Sequence, residues 1–158
     1  MVLGEALASL LPRPPRRFDT KTRVALVACT WHPLAAIENA AKDGLSYDPG
    51  VQVVTTKCTG VVTVAFLLRL FAKGYDGVLV LGCADGDCHY YNGGERCKAI
   101  VEETGEILEI SGIPKERLGF HQVANSTSAE FEKALKSYLK QFKDLGTGRR
   151  KLAAGSHR

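Results

Sequence analysis

Four cysteines in this chain are placed where they can act together. Cys29 ends the apolar run VALVAC, Cys58 ends VQVVTTKC, and Cys83 ends GVLVLGC. Cys88 follows Cys83 in the next loop. The three runs have the length and residue types of strands. If those strands are parallel, their carboxyl ends lie along one edge of a sheet, and four thiols from distant parts of the chain converge there. Gathered thiolates hold soft metal ions or iron–sulfur clusters. A single free cysteine is as readily a small buried hydrophobe, but packing explains poorly three at equivalent strand ends with a fourth nearby. Cys97 is different. It falls on a helical stripe with Ile100, Val101, Thr104 and Leu108 and is expected in the core.

The densest motif is Gly82-Cys83-Ala84-Asp85-Gly86-Asp87-Cys88-His89-Tyr90. Its glycines permit positive φ or close backbone approach, so both thiols can bend onto one centre. Backbone N–H groups in such a loop can point at sulfur and tune a cluster's potential. Asp85 and Asp87 are too hard for a soft metal and are expected to cap the next helix or meet basic groups of a partner. His32, three residues after Cys29, is a further candidate ligand or tuning group. His89 is expected to orient its loop, and Trp31 either shields the site from water or packs in the core. Four thiolates suit zinc or iron–sulfur. Structural zinc favours paired C-x-x-C knuckles in poorly cored domains, which this chain lacks. Four cysteines from three loops fit [2Fe–2S] or [4Fe–4S] ligation.

The elements that must position these residues alternate. Strands are expected over 23–29, 51–57, 77–82 and 118–124, and helices over 32–42, 63–73, 94–111 and 127–142. Gly74 is expected to cap the second helix, and Thr127 with Glu130 to form a capping box on the last. A βαβαβαβα string predicts an α/β fold of three layers around a four-stranded parallel sheet. Strands one and three are apolar throughout, as central strands are, whereas strands two and four carry Gln52, Thr55, His121 and Gln122. The expected order is 2-1-3-4, resembling a trimmed flavodoxin-like sheet with its switch point between strands one and three. Ligands bind at the carboxyl ends of strands near such a point, which is where Cys29 and Cys83 fall. Residues 1–22 read as an N-terminal arm, 23–143 as the α/β domain, and 144–158 as a basic flexible tail.

The 158 residues suffice for one well-cored domain, and 45% hydrophobic with 24% charged residues is ordinary for a soluble protein. A net charge of +4 is too small to argue for nucleic acid. The opening MVLGEALASLL lacks a basic start and runs into PRPPRR, unlike a secretory signal. It is also too short to span a bilayer. A reducing, cytoplasmic setting is expected, where thiols are ligands or redox groups rather than disulfides.

The run GCADGDCHYYNGG resembles the signature of the delta subunit of methyl-viologen-reducing hydrogenase, of the form G-C-x-x-G-D-C-H-Y followed by a Glu-Arg pair. Gly82, Cys83, Gly86, Asp87, Cys88, His89 and Tyr90 match it, and Glu95-Arg96 follows. Cys58-Thr59-Gly60 and the connector GIPKERL also fit, so that the resemblance spans roughly 23–142. It implies a small [2Fe–2S] protein relaying electrons between an oxidoreductase module and the flavin subunit of a heterodisulfide-reductase-like complex. That module would be a hydrogenase, a formate dehydrogenase or another anaerobic oxidoreductase. In the first loop the chain departs from the pattern, with Ala28 before Cys29 and His32 where a cysteine is often found. Either His32 replaces a ligand there or the cluster is altered.

The expectation is therefore an electron-transfer subunit whose Cys29, Cys58, Cys83 and Cys88 hold one [2Fe–2S] cluster, with catalysis elsewhere in the complex. Two other classes remain open: a thiol–disulfide enzyme using Cys83 and Cys88, and a structural zinc adaptor.

Overall fold

A computed structural model describes residues 22–124 and 126–145. Four parallel strands form one sheet: β1 (Val24–Cys29), β2 (Val51–Thr56), β3 (Gly77–Cys83) and β4 (Leu118–Val123), in the order β2-β1-β3-β4. The helices are α1 (His32–Lys42), α2 (Val64–Ala72), α3 (Gly93–Ile110) and α4 (Ser128–Asp144). Short 3-10 turns occupy Thr59–Val61 and Lys115–Arg117. This is the α/β architecture and strand order that the sequence predicts. The expected N-terminal arm lies outside the described residues but for Thr22, and so does nearly all of the tail. Among the described residues no helix is long and apolar enough to cross a membrane.

Every residue of β1 and β3 is buried, because helices cover both faces of the central strands. Alternation along β1 splits the core in two. Val24, Leu26 and Ala28 pack with α1 and α4 around Phe131, while Ala25 and Val27 pack with α2 and α3 around Leu67, Leu70 and Leu108. The register Val24↔Gly77 through Ala28↔Leu81 brings the ends of β1 and β3 within one residue of each other, Cys83 lying one step beyond the level of Cys29.

Local signals hold at several ends. Thr63 caps α2 by accepting from the Phe66 N–H at 3.2 Å, and Gly74 turns the chain after α2 with φ +84°. The capping box at α4 is half formed. Thr127 accepts from the Glu130 N–H at 3.4 Å, but no reciprocal bond forms, and Glu130 Oε2 is buried without a partner.

One boundary moves in a way that matters for the chemistry. β2 ends at Thr56, so Cys58 stands beyond the strand, and its sulfur accepts from the Gly60 N–H at 3.3 Å to open the 3-10 turn. The ladder stops where the Thr30 N–H donates to the Thr56 carbonyl. The turn then swings Cys58 away from the strand line, toward the start of α3.

Candidate metal centre

The four cysteines named from the sequence meet at the carboxyl edge as two pairs. Cys29 and Cys83, both almost wholly buried, have sulfurs 3.7 Å apart. Cys58 and Cys88, from the loops after β2 and β3, have sulfurs 4.0 Å apart. Neither distance is a disulfide, whose sulfurs lie about 2.05 Å apart, and all five cysteines are free. Among the described residues no three His, Cys, Asp or Glu side chains converge on a position where one metal ion could sit. Both pairs nevertheless have a familiar spacing. Two thiolates on one tetrahedral ion, with bonds of about 2.3 Å, place their sulfurs about 3.8 Å apart.

The four thiols differ in their surroundings. At Cys83 burial dominates and pushes the pKa up to about 12, against a backbone hydrogen bond from His32 that lowers it; the neighbouring Cys29 raises it further. Burial also raises Cys58, with Cys88 adding to the rise and the Gly60 N–H opposing it. Cys88 goes the other way. Burial would raise it, but N–H groups of Tyr90, Gly93 and Gly94 and the Cys58 thiol point at its sulfur and bring it below its ordinary value. Gly93 and Gly94 open α3, so the Cys88 sulfur sits over a helix N-terminus, which favours thiolate.

Glycine makes this closeness possible. A Cβ on Gly93 would stand 2.3 Å from the Cys58 sulfur and 3.1 Å from that of Cys88, and one on Gly60 would meet the Gly93 Cα at 2.9 Å. Any side chain at either position would push the helix start off the loop that carries Cys58. The sequence reading credited Gly60, Gly82 and Gly86 but overlooked Gly93. Its signal was a Gly-Gly pair opening a helix, where Ser, Thr, Asp or Asn ordinarily leads.

The remaining residues take other places. The His32 ring lies 2.9 Å from the Ser126 hydroxyl through Nδ1, and only its backbone N–H serves Cys83. His89 stacks on Trp31, ring centroids 3.7 Å apart and planes nearly parallel, joining the loops after β1 and β3. Trp31 is 42% exposed, so it is not a core residue. Asp85 does not cap α3. It accepts from Gln122 Nε2 at 2.6 Å, while Asn92 occupies the cap without a side-chain bond. Cys97 is fully buried in the α2–α3 core, where burial pushes its thiol up to about 12 and the Thr59 side chain hydrogen-bonds it.

Comparison with known proteins adds identity to this geometry. Residues 24–146 match the family model described as methyl-viologen-reducing hydrogenase, delta subunit. The chain is 30% identical over 128 residues to the iron-sulfur subunit of the F420-non-reducing hydrogenase of Archaeoglobus profundus, covering 81% of this chain and 93% of that one. It is 29% identical over 118 residues to the vhc iron-sulfur subunit of the F420-non-reducing hydrogenase of Methanococcus voltae, covering 75% and 82%. A further match, 25% identical over 123 residues, covers 78% of this chain but 16% of its counterpart, one of the subunits of the ferredoxin:CoB-CoM heterodisulfide reductase of Methanosarcina mazei. The unit thus occurs both as a separate subunit and as a segment of a much longer chain. With the family model spanning the whole sheet and all four paired thiols, the chain belongs to the family of the delta subunit of methyl-viologen-reducing hydrogenase.

Proposed function

We propose that this protein is an electron-transfer subunit of an oxidoreductase complex, its Cys29, Cys58, Cys83 and Cys88 thiolates binding one [2Fe–2S] cluster. The observation that carries the reading is the division of four sulfurs into two pairs, 3.7 and 4.0 Å apart, with no three ligands converging on one point among the described residues. Two tetrahedral ions, each taking two protein thiolates, ask for such a division, whereas one zinc ion asks for all four sulfurs at equal spacing. A bound two-iron cluster supplies one-electron chemistry. The chain supplies four thiolates, a buried side at Cys29 and Cys83, a more open side at Cys88, and N–H groups aimed at the Cys88 sulfur. Such hydrogen bonds stabilise negative charge on sulfur and raise a cluster's potential.

The relatives' names suggest the neighbours. The unit accompanies hydrogenases in some relatives and forms part of a heterodisulfide reductase chain in others. Electrons would pass between an oxidoreductase module, such as a hydrogenase or formate dehydrogenase, and a flavin-bearing subunit of a heterodisulfide-reductase-like complex.

One observation favours a thiol–disulfide enzyme. The lowered pKa of Cys88, with Cys58 at 4.0 Å, is what a nucleophile and its resolving partner need. The pairing expected from the sequence, Cys83 with Cys88, is not the one the fold adopts. Iron and acid-labile sulfide analysis of protein prepared without oxygen, with electron paramagnetic resonance after reduction, decides among the readings. About two irons and two sulfides per chain are expected. Zinc alone would establish the adaptor, and a colourless protein that cycles a Cys58–Cys88 disulfide would establish the thiol enzyme.

A further inference from the structure

Every residue of α2 is apolar except Arg69. A helix apolar on all sides belongs where all its sides are covered. Among the described residues α2 is covered on one side. Leu67 and Leu70 are buried in the core shared with α3, whereas Ala65 and Ala72 are exposed and Val64, Leu68 and Phe71 are half-buried. Ala65, Leu68 and Ala72 recur at helical spacing, so they share the face turned away from Leu67 and Leu70. The outer faces of the other helices are charged instead, with Glu38 and Lys42 exposed on α1, Glu102 and Glu106 on α3, and Lys136 and Lys140 on α4.

Arg69 flanks the open face. Its Nη1 is buried with no hydrogen-bond partner, and it makes no salt bridge, among the described residues. A second copy answers this poorly, because a symmetric α2–α2 contact sets Arg69 against Arg69 with no acid in either helix. Residues 1–11, MVLGEALASLL, answer it better. Val2, Leu3, Ala6, Leu7 and Leu10 fall at helical spacing, and the one charge, Glu5, borders that stripe and is opposite in sign to Arg69. The chain also enters the described structure in the right place. Arg23 donates through Nη1 to the Lys73 and Gly74 carbonyls at 3.4 and 3.2 Å, so Thr22 lies by the C-terminal end of α2. Residues 12–21 reach about 30 Å when extended, more than the length of α2, about 14 Å.

We propose that residues 1–11 lie as a helix along the outer face of α2, their apolar stripe on Ala65, Leu68 and Ala72 and Glu5 on the side of Arg69. The occupant is this chain's own segment, held at high effective concentration by a short tether. It removes apolar surface from water and gives α2 the second cover that its composition asks for. The inference is independent of what the thiols bind.

Deuterium uptake by the full chain tests it. Peptides covering 1–11 and 64–72 are followed in wild type, in Leu7→Asp/Leu10→Asp, in Leu68→Asp, and in Ile110→Asp as an exposed control away from α2. Leu7→Asp/Leu10→Asp changes no residue of the α/β core, so it keeps the test open if Leu68→Asp fails to fold. Each of the first two variants should speed uptake in both peptides about tenfold or more, with uptake by α1 unchanged, and Ile110→Asp should behave as wild type. Sedimentation should show a monomer whose uptake does not change on dilution. Uptake at 64–72 that ignores Leu7→Asp/Leu10→Asp would overturn the proposal. So would protection lost on dilution of a dimer, which makes a second copy the occupant. Protection of 64–72 found only in a complex isolated from the source cells would overturn it too, since a different protein would then cover α2.

Discussion

The two ends of the sheet use polar atoms in opposite ways. At the amino edge most of them are paired with one another, although Arg23 Nη2 is buried without a hydrogen-bond partner. The Arg23 N–H donates to Asp76 at 2.8 Å, and the Arg23 guanidinium lies 4.8 Å from the Tyr75 ring centroid. Arg117, only 3% exposed, donates to the Asp76 carbonyl at 3.1 Å and rests over Phe142, and Tyr138 donates to the Arg117 carbonyl at 2.6 Å. Charges there are spent on closing the fold. At the carboxyl edge the thiols meet in two pairs, and Trp31, Tyr90 and Tyr91 stand exposed in the same loops. An end that satisfies most of its own groups offers little to a ligand, and an end that leaves thiols together invites one. Strand polarity explains the division, because in a parallel sheet all the loops at one end follow strands and can converge.

The largest effect should come from breaking the closed end. Arg117→Ala removes a buried cation and leaves Asp76 and Leu145 carbonyls and the Phe142 face without their partner. A loss of about 3 kcal/mol is expected in urea unfolding. Iron bound per folded chain should not change. If it fell in proportion to stability, the two ends would be one cooperative unit rather than two.

Gly93→Ala strikes the open end. Its methyl would overlap the Cys58 sulfur, so either that sulfur or the α3 start must move. A cost of about 1–3 kcal/mol is expected in the metal-free protein, with iron and sulfide falling well below wild type. Retention of both at wild-type levels would mean that Cys58 is not required where it stands.

How these residues were read from the sequence separates along the same line. The strand order followed from polarity, since VALVAC and GVLVLGC are apolar throughout, as central strands are, while strands two and four carry the polar residues that edges tolerate. The thiols could be grouped because strand-end position is a topological fact. Their pairing was not legible. It depends on Cys58 leaving the strand at Thr56 and on Gly60 touching Gly93, contacts between segments far apart in the chain. The half-formed capping box at Glu130 and the bond from Gln122 to Asp85 were hidden for the same reason: a motif shows which bond a side chain can make, and packing decides which it does.

A pH series sharpens the comparison chemically. Cys83 and Cys97 have folded pKa values of about 12 against an ordinary 9.0. Because the folded state binds these protons more tightly, their contribution to stability is complete below pH 9.0 and is lost as pH rises toward about 12. Metal-free protein should therefore unfold at progressively lower urea as pH rises above the ordinary thiol value of 9.0. Alkylation at neutral pH should mark Cys88 first, since burial raises Cys58, Cys83 and Cys97 while N–H groups lower Cys88. Early labelling of Cys83 would contradict the burial that sets it apart from Cys88.

The smallest effect is expected where the open end is tied to itself. The Trp31–His89 stack joins the loops after β1 and β3 across the thiol edge, and both rings are exposed. A double-mutant cycle with Trp31→Ala and His89→Ala should give a coupling of about 0.5–1 kcal/mol in unfolding. The closed end needs no such tie, because buried hydrogen bonds hold it. A coupling near zero would mean that the stack forms without holding the loops, and that the thiol pairs keep their spacing from α3 and its glycines alone. A coupling that appears only in the iron-loaded protein would show instead that the loops are drawn together by what the thiols bind, which makes the stack a consequence of the centre rather than part of its scaffold.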